Sequence, residues 1–123
     1  MADFPAVLTA VLSRHGISDD LLATGSFVLL RATEAIGAAT GLGLPARVTV
    51  GVSRTTMYIA MTRPGVPLSD GYVHAIPRDN LMVSTRFGRA GRLLIVENRQ
   101  ERAELKQRRR FDAHAAEVVA VLR

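Results

Sequence analysis

A chain of 123 residues, 48% of them hydrophobic, forms one domain and buries roughly two thirds of its unfolded surface without staples. It contains no cysteine, which excludes a disulfide framework and any thiolate metal site and fits a reducing compartment. The net charge is +5; no run reaches the ~18 apolar residues of a bilayer span, and acidic Asp3 stands where a signal peptide is basic, so a cytosolic protein is expected.

Residues 3–15 read as a helix. Asp3 suits the N-cap, Pro5 is tolerated in the first turn, and Gly16 can close the end in a left-handed conformation. Phe4, Val7, Leu8, Val11 and Leu12 form one apolar stripe, which must lie on the body of the domain or on a partner chain.

Residues 26–35 read as the first strand, although the Ala-rich stretch 32–40 also suits a helix; Gly41, Gly43 and Pro45 mark a loop. Val48, Val50 and Val52 then alternate with Arg47, Thr49 and Gly51, the pattern of a half-buried strand. Residues 55–62 repeat it, with Met57, Ile59 and Met61 on one face and Thr56, Tyr58, Ala60 and Thr62 on the other. The short Ser53-Arg54 junction suits a hairpin.

Residues 63–71 hold two prolines and two glycines and read as a long surface turn. Residues 72–76 are a fourth strand, stopped by Pro77. In the fifth, 81–87, Leu81, Val83, Thr85 and Phe87 oppose Met82, Ser84 and Arg86. After a turn at 88–91 comes a sixth strand, 92–97, whose apolar run 93–96 predicts cover on both faces. Residues 101–106 read as the seventh strand, with helix as the competing assignment by propensity. Asp112 then caps a last helix with Ala115, Val118, Val119 and Leu122 on one side.

Strands followed by a terminal helix predict an α+β single domain over 1–123. The expected form is a seven-stranded antiparallel curled sheet or partly open barrel, capped by the C-terminal helix and carrying an extra N-terminal helix.

The pattern resembles the bacterial pleckstrin-homology-like (GRAM-like) superfamily. Three segments carry the likeness: residues 50–59, a strand, short turn and strand through Ser53-Arg54; residues 72–81, with the apolar-Pro-basic-polar step Ile76-Pro77-Arg78-Asp79; and residues 91–96. The likeness covers 24–122 and leaves 1–23 as a helical extension. It implies a nearly closed barrel or bent sandwich under a C-terminal helix. It also implies a surface for lipid heads, peptides or protein partners. No inositol-phosphate motif transfers residue by residue, and fold alone does not supply function.

Chemistry-bearing patterns are sparse. The glycines form no phosphate loop, the single lysine is Lys106, and no strand–glycine turn–helix unit is present, so no cofactor is expected. His15, His74 and His114 lack ligand spacing. Ser26, Ser53 and Ser69 have no placed base, and Asp19, Asp20, Asp70 and Asp79 sit in turns or caps. Residues 78–110 carry ten basic residues and four acids. Arg86, Arg89 and Arg92 flank one hairpin; if its arms pair across Gly88–Gly91, their guanidinium groups can crowd the loop end, where planar donors suit a phosphate or carboxylate. Arg108, Arg109 and Arg110 precede the last helix. The basic residues are fifteen Arg to one Lys, alongside many Ala, which looks like a chain-wide compositional bias and an ordinary solvated surface rather than local selection for phosphate. For nucleic acid, Tyr58 is the one aromatic expected on an exposed strand face as a stacking platform.

The expectation is a non-enzymatic docking module with a protein partner or self-association through the N-terminal helix or a strand edge. Two alternatives stand beside it: an anionic-lipid or nucleic-acid binder using the 86–110 arginines, and a small enzyme with a barrel mouth lined by His74 and Tyr72.

Overall fold

The structure is a computed structural model that describes residues 4–33, 36, 44–61, 72–88, 91–107 and 112–123. The expected cap Asp3, the turn at 63–71, most of 32–40, and Arg89 and Arg108–Arg110 lie outside the described residues.

Helix α1 (Phe4–Arg14) ends as the sequence predicts. Gly16 has φ +72°, its N–H donates to the Ser13 carbonyl at 3.0 Å, and the Ile17 N–H donates to the Leu12 carbonyl at 2.9 Å. That paired closure satisfies two of the orphan carbonyls of the last turn. Leu12 and Ile17 meet in one apolar cluster, which fixes the exit direction of the chain.

Seven strands follow: β1 (Ala23–Ala32), β2 (Ala46–Val52), β3 (Thr56–Met61), β4 (Tyr72–Pro77), β5 (Met82–Gly88), β6 (Gly91–Glu97) and β7 (Arg102–Gln107). They form one antiparallel sheet in the order β4-β3-β2-β1-β7-β6-β5. Strand β1 starts three residues before its expected position, because Ala23–Gly25 pair with Gly51–Val52 and Val50 beyond the visible alternation. Residues 102–107 are a strand and not a helix. Ala103, Leu105 and Gln107 face the core, and ladders to β1 and β6 on both sides outweigh the modest helix propensity.

The sheet has to curl. Strands β4 and β5 are its two edges, yet Pro77 and Met82 are five chain steps apart and therefore within about 18 Å. In a flat sheet six strand spacings would separate those edges by about 29 Å. Bending also brings His74 of β4 to Glu101 ahead of β7, with Nε2 and Oε1 2.6 Å apart. Among the described residues the two edges do not pair, so the sheet stays short of a closed barrel.

The inner face carries the main core: Phe27, Leu29, Val48, Val50, Met57, Ile59, Ile76, Leu94, Val96 and Leu105. Each such side chain, fully buried, contributes about 1.5–3 kcal/mol. Helix α2 (Ala113–Leu122) lies on this face. Asp112 caps it by accepting from the His114 and Ala115 N–H groups, and Ala115, Val118, Val119 and Leu122 are its buried side, as expected. Its approach is close: a Cβ at Gly25 would stand 3.2 Å from the Ala115 backbone.

Helix α1 covers the outer face. Leu8, Val11 and Leu12 pack with Tyr58 and Ala60 in a second cluster, and a Cβ at Gly51 would collide with a Leu8 methyl. The half-buried pattern expected of β2 is thereby corrected. Thr49 and Gly51 are buried too, and at Gly51 the N-terminal helix lies over the strand through Leu8.

Candidate docking surface

Strand β5 hydrogen-bonds to β6 alone and has no strand on its other side among the described residues. Its pairing runs from Met82↔Glu97 to Gly88↔Gly91 without a shift, so no bulge breaks the edge. It contains no proline or lysine, and its one charged residue is the exposed Arg86, so the edge is only lightly blunted. Alternation places Val83, Thr85 and Phe87 on the inner face and Met82, Ser84 and Arg86 on the outer. Three large apolar residues of the described set are exposed, and two are on this strand: Met82 at 63% and Phe87 at 77%.

The opposite edge is different. Strand β4 ends in Pro77, and His74 is tied to Glu101.

The register also locates the hairpin arginines. Arg86 lies opposite Leu93 while Phe87 lies opposite Arg92, so Arg86 and Arg92 point to opposite faces of the sheet. They do not crowd one loop end. Instead the Arg92 guanidinium sits 5.0 Å from the Phe87 ring centroid, a cation–π contact across the pair. Arg99 is exposed in the β6–β7 turn, and Arg102 makes loose ion pairs with Glu97 at 3.8 Å and Glu104 at 3.6 Å. Exposed pairs of this kind contribute little.

Tyr58 is not a stacking platform. It is 4% exposed beneath α1, and its hydroxyl donates to Asp19 Oδ2 at 2.7 Å. Hydrogen bonding from Ser53, and then from Tyr58, holds the Asp19 carboxyl below its usual 3.8. Burial, followed by the bond to Asp19, pushes the Tyr58 phenol above its usual 10. Both residues serve the junction between α1 and the sheet.

The remaining candidates have structural settings. Ser53 Oγ accepts from the Thr55 N–H at 3.3 Å and the Thr56 N–H at 3.1 Å, closing the β2–β3 turn. His15 follows α1, and His114 stands in the first turn of α2. Among the described residues no three His, Cys, Asp or Glu side chains gather to hold a metal ion. Arg78 is the residue that sequence reading passed over. Its Nη1 donates to the Ser53 carbonyl at 2.7 Å and its Nη2 to the Val121 carbonyl at 2.8 Å. The Pro77-Arg78 step marked its position but gave no sign of these partners.

No family model and no curated protein matches the chain. Among solved structures, the C-terminal domain of an unknown protein from Leishmania infantum is similar, with a TM-score of 0.57 and 12% identity. The likeness covers 96% of this chain and 97% of that one, and what it shows is a shared α+β fold.

Proposed function

We propose that the chain is a pleckstrin-homology-like docking module of the bacterial cytosol that receives an extended protein segment along the free edge of β5. The observation that carries this reading is an unbroken seven-residue edge strand exposing Met82 and Phe87 at its two ends. A partner strand there would satisfy the outward N–H and C=O groups and cover both side chains. Support for the superfamily assignment comes from two antiparallel meanders, β1–β4 and β5–β7, curled under a terminal helix. The cytosolic location proposed here is supported by the cysteine-free composition, which suits a reducing compartment.

An anionic ligand is the second reading, favoured by the positive surplus in residues 78–110. It ranks lower because Arg86 and Arg92 occupy opposite faces. Titrating 15N-labelled protein with a panel of extended peptides separates the two. Docking predicts amide shifts concentrated at 82–88 that persist in high salt. Shifts produced only by anionic vesicles or oligonucleotides, and erased by salt, would replace it with the second reading.

A further inference from the structure

Resting on the docking reading above, we propose that the partner at the β5 edge is a second copy of this chain, paired antiparallel about a two-fold axis through Thr85. The strand sequence is complementary to itself in that arrangement. Paired residues must share a face, so a two-fold through a residue joins positions of equal parity. Centring on Thr85 uses all seven residues of β5. Thr85 meets Thr85, Val83 meets Phe87, Ser84 meets Arg86, and Met82 meets Gly88.

Each pairing suits its neighbours. Thr–Thr and aromatic–β-branched pairs are among the favourable cross-strand combinations. The 77%-exposed Phe87 ring would lie between Arg92 of its own hairpin and Val83 of the second copy. Met82, 63% exposed, would extend over a glycine that offers no side chain to clash. One opposing interaction is built in. The two Arg86 residues become diagonal neighbours about 7–8 Å apart. Added salt screens that repulsion and should tighten the dimer.

The chain has no cysteine, so a single introduced one reports the register directly. Residues directly opposite in an antiparallel pair have Cα atoms about 4.5–5.5 Å apart, inside the window for a disulfide of about 4.4–6.8 Å. Thr85→Cys is expected to give a reducible covalent dimer on mild oxidation, and adding Phe87→Asp should abolish it. Ser84→Cys, whose two copies would be diagonal and not opposite, should cross-link far less. Sedimentation of the unmodified chain should show mass rising toward the dimer with concentration, and further with salt. Strictly monomeric sedimentation throughout, or Ser84→Cys cross-linking as readily as Thr85→Cys, would overturn the proposal. A monomer whose 82–88 amides still respond to extended peptides would overturn the dimer alone and leave the docking reading standing.

Discussion

Arg78 caps α2 from outside the helix. By donating to the Val121 carbonyl at 2.8 Å it satisfies one of the last-turn acceptors, while its other nitrogen holds the Ser53 carbonyl at 2.7 Å. One side chain thus fastens the β2–β3 turn and the terminal helix together. Arg78→Ala is expected to destabilise the fold by about 2–4 kcal/mol, since two charge-assisted bonds are lost. Arg78→Lys should fall between, because a single ammonium cannot reproduce the planar fork. Urea unfolding midpoints of the three proteins check the order.

Asp19 and Tyr58 give stability a pH dependence with a definite sign. The folded Asp19 carboxyl titrates below 3.8, so the folded state holds its proton less tightly than the unfolded chain. Its contribution is present above 3.8 and is lost as pH falls through the lower folded value. Tyr58 is shifted upward, so its contribution is present below 10 and is lost as pH rises through the higher folded value. Tyr58→Phe keeps the buried ring and removes the donor; a loss of about 1–2 kcal/mol at neutral pH is expected. Asp19→Asn should flatten the acid limb of the stability profile. Chemical denaturation across a pH series measures both.

Gly51 and Leu8 test how α1 is seated. A methyl at position 51 meets the Leu8 side chain, so Gly51→Ala should cost about 1–3 kcal/mol through overpacking. Combined with Leu8→Ala, the same change should cost measurably less, because the colliding methyl is gone. A double-mutant cycle with no coupling would place α1 elsewhere.

Phe87 separates association from folding. It is 77% exposed, so Phe87→Ser should change unfolding free energy by no more than about 0.5 kcal/mol. The same substitution should weaken association at the free edge of β5 while leaving its ladder to β6 intact. Denaturation of dilute, monomeric protein and sedimentation at high concentration would show one property unchanged and the other reduced.

Most of the fold was legible because two-residue rhythm reports a face directly. Val48, Val50 and Val52 and Met57 and Ile59 all face the inner core as their alternation implied. The cap at Asp112 and the left-handed Gly16 were equally visible, since both are local devices. Burial of Gly51 and Tyr58 was not, because nothing near those residues reveals that a helix some forty positions earlier lies over them. The spread of Arg86 and Arg92 to opposite faces followed from their pairing register, which depends on where the hairpin turns. Arg78 was hidden for a similar reason. Its partners Ser53 and Val121 are 25 and 43 residues away.

Amide hydrogen exchange along residues 82–88 tests the free-edge claim most directly. In dilute protein, amides of β5 that bond to β6 should be protected, and the alternate ones facing outward should exchange quickly. At high protein concentration or with an extended peptide, that alternation should give way to protection along the whole strand. Outward amides that stay fast under every such condition, or are already protected at the greatest dilution, would contradict a docking edge at β5.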